Sequence, residues 1–324
     1  MQERQLSRRA LLQQASAFAA LGSVADAVAA ATSTPATPSA AAAGASAANA
    51  GASGTFTLGG DLKVNRLGFG AMRITGEGVW GPPANPAEAR RVLQRAVELG
   101  VTLIDTADAY GPEVSENLIY ETLHPYPKNL VIATKGGMVR PVAARWDRDG
   151  SPAHLRAACE GSLKRLHVER IDLYQLHAPD PKVPLEDSIG ELAELQAAGK
   201  IRHIGVSNFD VDQLKRAQAV AKIVSVQNRY NVQDRGSEAV LQYCQKEGLG
   251  FLPWAPLDSG RLPDNLQAIA TAHNASTVQV ALAWLLARSP NMLPIPGTAS
   301  TAHLEDNVAA AGLRLSAAEM AKLG

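Results

Sequence analysis

Three apolar runs in this chain stop on a residue that can carry charge or hold a proton: "LID" on Asp105, "LVIATK" on Lys135 and "LYQLH" on His177. A phenol, Tyr110, follows shortly after Asp105 in "LIDTADAYG". Taken singly, each has an ordinary explanation. Asp favours turns, Gly111-Pro112 is a breaker, a terminal lysine can snorkel to solvent, and a histidine before "APDP" can belong to a turn. Together they make coherent chemistry. A lysine held among apolar residues needs a carboxylate, because an unpaired buried charge is costly, and Asp105 supplies one. A phenol beside that ammonium is expected to have its pKa drawn down from about 10 towards neutrality. Tyr110 would then donate a proton to a carbonyl oxygen, and His177 could hydrogen-bond the same oxygen and orient the substrate.

The elements that must position these groups show in the hydrophobic pattern. After "GTFTLGGDLKVNRLG", read as a short hairpin with a "GG" turn, eight apolar runs alternate with stretches of helical period. The runs are "RLGFGAM", "VTLIDTA", "LVIATK", "IDLYQLH", "IRHIGVS", "IVSVQN", "GFLPWAP" and "MLPIPG". Helical patterns such as "PAEARRVLQRAVELG", "LEDSIGELAELQAAG" and "TVQVALAWLLARS" separate them, with Gly100, Gly199 and Gly248 where helix C-caps belong. Near-continuous apolar strands alternating with helices imply a parallel sheet covered by helices. Eight such units, with no GxGxxG after the first strand, predict an α/β fold of the closed (β/α)8 barrel type over residues 55–324. Chemistry in such barrels sits at the C-terminal strand ends. Those ends carry Asp105, Lys135, His177, Ser207, Asn208, Gln227 and Trp254.

Composition narrows the function classes. The 324 residues contain 31 Lys and Arg against 31 Asp and Glu, which argues against a nucleic-acid partner. The two cysteines, Cys159 and Cys244, lie in separate helical patterns without CxxC spacing, so no disulfide scaffold and no metal site is expected. At the N-terminus, adjacent Arg8 and Arg9 precede an uncharged, mildly apolar stretch ending in small residues. Residues 1–30 thus have the layout of a secretory signal of the twin-arginine type, with Ala25-Asp26-Ala27 and Ala27-Val28-Ala29 as cleavage candidates. The other reading is an Ala-rich extension carrying two chance arginines. A permanent membrane span is not expected, because the stretch is short and interrupted by Asp26. Residues 31–54 are almost wholly Ala, Ser, Thr, Pro and Gly, and are expected to form a flexible linker.

With these residues in place, the chain over 55–324 resembles the aldo-keto reductase family. The resemblance rests on "DTADAYGPEVSENL", "ATKGG", "YQLHAPD", "HIGVSNF", "VQNRYN", "PWAPLDSG" and "IPGTASTAHLEDN". It implies a catalytic tetrad of Asp105, Tyr110, Lys135 and His177, and NADPH lying extended across the barrel mouth. Ser207, Asn208 and Gln227 would hold the carboxamide and Trp254 would stack on the nicotinamide. Pro256, Leu257, Ser259 and Gly260 would take the pyrophosphate side. Gly297, Thr298, Ser300 and His303 would lie at the 2′-phosphate, with Asp306 and Asn307 at the adenine. A helix starting near Thr301 would point its N-terminus at that phosphate. The chain departs from the family by having Gly297 and His303 where many members carry Lys and Arg, so modest discrimination is expected and NADH could also serve. "RLGFGAM", "VWGPP" and "IPGTASTAHLEDN" look most like a bacterial subgroup that includes pyridoxal reductases. Met72, Trp80 and Trp146 are candidate pocket walls, and Arg140 or Arg145 could meet an anionic substrate.

The expected function is NADPH-dependent reduction of an aldehyde or ketone, with a small-molecule carbonyl as partner and a monomer or weak homo-oligomer as the assembly. The twin-arginine reading places the protein in the periplasm or outside the cell; the alternative is the cytoplasm. A second function class is a cofactor-sensing regulatory or channel-associated subunit with little turnover, which would not need both Tyr110 and His177. A cofactor-free barrel hydrolase would want paired carboxylates or a metal at the strand ends, and neither pattern is present.

Overall fold

The computed structural model describes residues 48–324. The signal-like segment and most of the expected linker lie outside the described residues. The linker was expected to reach Gly54, but folded structure begins earlier. Ala50–Ser53 forms one 3-10 turn capped by the Asn49 side chain. Ala50 is fully buried and donates its backbone N–H to Leu99 O at 2.8 Å. Small residues suit this docking because alanine can enter a crowded interface, a use that composition alone does not reveal.

Strands β1 (Thr55–Leu58) and β2 (Leu62–Asn65) form the expected antiparallel hairpin, turning through Gly59 and Gly60, both at positive φ. Then follow β3 (Phe69–Gly70), β4 (Leu103–Asp105) and β5 (Val131–Gly136), a small antiparallel pair β6 (Met138–Val139) and β7 (Asp147–Arg148), and β8 (Ile171–Leu176), β9 (Ile201–Ser207), β10 (Ile223–Arg229) and β11 (Gly250–Trp254). Seven of them form one parallel sheet in the order β11-β10-β9-β8-β5-β4-β3.

The eighth apolar run is not a regular strand. Residues 292–297 contain Pro294 and Pro296, which have no N–H to donate to a ladder. The run nevertheless closes the barrel. Leu293 N–H donates to Phe251 O on β11, while Pro294 O and Pro296 O accept from Gly68 N–H and Gly70 N–H beside β3. The proline carbonyls do what a strand would do on that side, and only the donors are missing. The backbones approach so closely here that a Cβ on Gly70 would come within 2.6 Å of Ile295 O. One on Gly297 would lie 2.4 Å from Gly70 O.

The pleat then decides what faces inward. Leu103, Val131, Ala133, Leu173 and Leu252 pack inside the barrel with Leu58, Leu62 and Val64 of the hairpin. The hairpin turn meets the starts of β9 and β10, where Arg202 and His203 contact Asp61 and Lys222 Nζ donates to Gly59 O. It therefore plugs the N-terminal end of the barrel. Continuing each inward row towards the other end reaches Asp105 from Leu103, Lys135 from Val131 and Ala133, and Gln175 from Leu173. The row ends in polar groups at one mouth only.

Ten helices α1–α10 follow in chain order among the described residues: Pro86–Glu98, Val114–Leu123, Pro152–Leu166, Leu185–Ala197, Val211–Val220, Glu238–Glu247, Leu266–Ala272, Thr277–Arg288, Thr301–Ala309 and Ala317–Leu323. Gly100, Gly199 and Gly248 all take the left-handed conformation just past a helix, as glycine at that position allows. Cys159 on α3 and Cys244 on α6 are buried, free thiols in the helix–sheet core.

Candidate active site

Lys135 has no solvent exposure, and its three ammonium hydrogens meet three acceptors. Nζ lies 2.6 Å from Asp105 Oδ2, 2.7 Å from Thr106 O and 3.3 Å from Tyr110 Oη. The other oxygen of Asp105 accepts from two amides, Gln227 Nε2 at 2.8 Å and Gln175 Nε2 at 3.1 Å. Four strands thus converge on one ion pair: β4 brings Asp105, β5 Lys135, β8 Gln175 and β10 Gln227. Burial lowers the basicity of Lys135, but Asp105 and then Tyr110 overcome it and hold the ammonium above its ordinary pKa.

The direction expected for Tyr110 is corrected by the structure. Its ring is buried, and burial raises the phenol pKa by more than Lys135 lowers it, with Asp105 adding to the rise. Reasoning from the ammonium alone omits the desolvation of a phenolate and the carboxylate on the far side of the lysine. Tyr110 is therefore a neutral phenol. Because Lys135 donates to its oxygen, the phenolic hydrogen remains available to another acceptor.

His177 continues the chain beyond β8 and is also buried. Burial, then the charge of Lys135, holds its pKa well below the usual histidine value, so the ring is neutral. Its Nδ1 is buried and has no hydrogen-bond partner. Tyr110, His177 and Trp146 meet with their rings nearly perpendicular: 80° between Tyr110 and His177, 74° between Tyr110 and Trp146, and 77° between Trp146 and His177. The tetrad expected from sequence is thus brought together, joined by an aromatic wall.

The residues expected around a dinucleotide lie at the same mouth, with several occupied differently. Asn208, at φ 62°, donates to His177 O and Ser207 Oγ and accepts from Trp254 Nε1 at 3.0 Å. This fixes the half-buried Trp254 ring beside the site. Gln227 is turned inward onto Asp105, so its amide supports the ion pair in this arrangement. Pro256 is buried, Leu257 is half-buried, and Ser259 and Gly260 are exposed on a 3-10 turn. Arg73, after β3, reaches that turn across the closing run, donating to Ser259 Oγ at 3.1 Å.

Gly297 is exposed but is held to glycine by its contact with Gly70. Thr298 Oγ1 accepts from Ser300 N–H, and Ser300 caps α9. His303 is exposed on the first turn of α9. Asp306 is half-buried, and Ser276 Oγ and Gln279 Nε2 donate to its two oxygens. Asn307 is buried.

Sequence reading missed three groups. Gln175, two residues before His177 in "YQLH", is a polar residue on an inward row, and that parity was its signal. Asp108, between Asp105 and Tyr110, has its Oδ1 buried without a partner; burial and then Glu116 push its carboxyl up to about 8. Glu88, in the first turn of α1, accepts from both the N–H and the hydroxyl of Thr301 at 2.9 and 2.7 Å. A carboxylate thus already sits at the helix N-terminus expected to draw a phosphate, and those two bonds lower its pKa. Arg140 is not free for an anionic substrate, since its guanidinium bonds backbone carbonyls, while Arg145 pairs with Asp147. Of the proposed walls, Met72 and Trp146 pack against Val79, Ala107 and Tyr110, and Trp80 flanks Arg140. Among the described residues, no group of three or more His, Cys, Asp and Glu side chains could hold a metal ion.

A model of the aldo/keto reductase family matches residues 66–324. An uncharacterized oxidoreductase of Schizosaccharomyces pombe is 50% identical over 267 residues, 82% of this chain and 87% of the relative. Pyridoxine 4-dehydrogenase of Escherichia coli is 43% identical over 275 residues, 82% of this chain and 95% of that protein. Among solved structures, an aldo/keto reductase from Klebsiella pneumoniae in complex with NADP and acetate superposes with a TM-score of 0.72 at 30% identity, covering 83% of this chain and 93% of that one.

The geometry predicts how the ion pair behaves when broken. Lys135→Met should destabilise the protein by about 3–5 kcal/mol, because Asp105 is left buried without its cation. Lys135→Met combined with Asp105→Asn should recover most of that loss. Urea unfolding of the two variants beside the parent measures it, and a loss under about 1 kcal/mol in the single variant would show that the pair is not the electrostatic centre of the site.

Proposed function

Because the chain belongs to the aldo/keto reductase family and is an oxidoreductase, we propose that it reduces an aldehyde or ketone to the alcohol with NADPH, Tyr110 acting as general acid. The observation that carries this is the phenol of Tyr110, held by Lys135 at 3.3 Å and set edge-on to His177 with ring centres 5.8 Å apart. The phenol and the neutral imidazole, side by side with the fixed ring of Trp254, fit a carbonyl lying against a nicotinamide.

The cofactor, when bound, supplies the hydride to the carbonyl carbon. The chain does the rest. Tyr110 gives its phenolic proton to the carbonyl oxygen as negative charge builds there, and an alkoxide is basic enough to take it from an unactivated phenol. Lys135 stabilises the phenolate left behind, and Asp105, fixed by Gln175 and Gln227, keeps Lys135 charged. His177 orients the carbonyl, and the buried, water-poor setting strengthens each of these interactions. A binding-only regulatory subunit would have no use for this proton donor. The name of the Escherichia coli relative, pyridoxine 4-dehydrogenase, supports pyridoxal-like aldehydes as first substrates to try.

Tyr110→Phe should leave NADPH binding nearly intact while cutting carbonyl reduction roughly 10²–10⁴-fold, the range for a positioned acid. Single-turnover reduction and cofactor fluorescence measure the two effects, and activity within tenfold of the parent would remove Tyr110 as donor.

Cofactor preference follows from the charges at α9. His303 stands where an arginine fork would grip the 2′-phosphate, and Glu88 holds negative charge at the same helix end. Glu88→Gln should therefore tighten NADPH on the order of two- to fivefold, the worth of one charge at a helix terminus, and leave NADH almost unchanged. Equal shifts for both cofactors in equilibrium titration would place the phosphate elsewhere.

Export rests on Arg8 and Arg9 and the mild apolar stretch behind them. A twin-arginine route would carry the barrel across folded. Fractionation of cells making the full chain, beside an Arg8→Lys/Arg9→Lys variant, tests this; a full-length cytoplasmic product from both contradicts export.

A further inference from the structure

The segment between β5 and α3 is tied down by one side chain. Arg140 is 8% exposed, yet among the described residues no carboxylate forms an ion pair with it. Its guanidinium donates instead to five backbone carbonyls: Gly78 and Val79 at 3.0 Å, Arg145 at 3.2 Å, Ala109 at 3.5 Å, and Ala143. These carbonyls belong to three separate stretches, namely the turn after β3, the loop carrying Tyr110, and the connection between β6 and β7. A guanidinium has five N–H groups in a rigid fork, so each donor is met and burial without a counter-ion becomes tolerable. A lysine offers three donors from a point and cannot span the same stretches.

The same guanidinium stacks on Trp146, its carbon 3.7 Å from the ring centre, with Trp80 at 5.5 Å. Trp146 in turn lies 6.4 Å, centre to centre, from both Tyr110 and His177, which are 5.8 Å apart. Three nearly perpendicular rings meet like the faces of a box corner. A carbonyl oxygen reaching Tyr110 Oη and His177 leaves the group on its carbon beside the third face.

We propose that Arg140 is a positioning residue that fixes Trp146 as the wall of the substrate pocket, so that the protein favours carbonyls borne on flat aromatic rings over straight-chain ones. This rests on Tyr110 and His177 being the groups that meet the carbonyl. Without Arg140, three stretches lose their common anchor and the indole loses the cation stacked on it, although Tyr110 and Lys135 keep their own contacts. A flat ring gains an aromatic pair from Trp146 that an alkyl chain cannot match.

The test compares benzaldehyde with hexanal, both reduced by the full-length protein with NADPH. In Trp146→Leu, kcat/KM for benzaldehyde relative to hexanal should fall roughly two- to tenfold, the worth of one ring pair, through KM rather than kcat. Trp146→Phe should restore most of the ratio. Arg140→Met and Arg140→Lys should each lower it similarly, and the Arg140→Met/Trp146→Leu double variant should fall no further than Trp146→Leu, because both act through one wall. NADPH fluorescence titration identifies variants that remain folded. An unchanged ratio in Trp146→Leu overturns the proposal, as does an Arg140 variant that binds NADPH normally and keeps the parent ratio. A parent protein that binds NADPH but reduces neither aldehyde removes the reductase reading, and this proposal with it.

Discussion

The ion pair between Lys135 and Asp105, 2.6 Å long and almost closed to solvent, is the constraint on which the rest of the barrel mouth depends. Placing two charges there is costly unless every hydrogen and lone pair finds a partner. The structure meets that demand with Thr106 O and Tyr110 Oη on one side and with Gln175 and Gln227 on the other. Thr106 and Tyr110 follow Asp105 on one loop, whereas Lys135, Gln175 and Gln227 come from three other strands, so the full set of partners is met only when those strands pair in the folded sheet. Function and fold are thus coupled: the proton donor is aimed by a lysine that would be intolerable in a partly assembled sheet.

The barrel is asymmetric for the same reason. At one end the hairpin of β1 and β2 fills the interior with Leu58, Leu62 and Val64. At the other end the inward rows finish in polar residues that have only one another for company. Closure is completed by a run whose prolines accept but do not donate, packed against glycines that admit a close backbone approach. Arg140 adds a second anchoring device by joining the loops around the mouth.

Much of this was legible in the residues. Asp105, Lys135 and His177 stand at the ends of apolar runs, where period-two alternation leaves a charged residue only if something inside receives it. Tyr110 was identifiable because it follows within one turn. The direction of its pKa was not, because pairing with Lys135 is visible in a sequence while the desolvation of a phenolate depends on surrounding volume. Gln175 hid inside an apolar run, and Glu88 looked like an ordinary acid in the first turn of a helix; its contact with Thr301 spans most of the chain. Asp306, read from its motif as an adenine contact, also accepts from Ser276 and Gln279, a pairing across the chain that sequence does not display. Ala50 illustrates a limit of composition, since an Ala-rich stretch reads as linker whether or not its last residues dock.

The central claim is that the Lys135–Asp105 pair presents Tyr110 as a neutral phenol and does not ionise it. Tyrosine labelled with carbon-13 at the ring carbon bonded to oxygen reports this directly, with the Tyr110 resonance assigned by its absence in Tyr110→Phe. Followed from pH 6 to pH 11 in the cofactor-free protein, that resonance should remain at its neutral position beyond the ordinary tyrosine pKa of about 10. A Tyr110 resonance that moves to the phenolate position between pH 7 and pH 9 would contradict the account, because the ammonium would then dominate over burial and over Asp105.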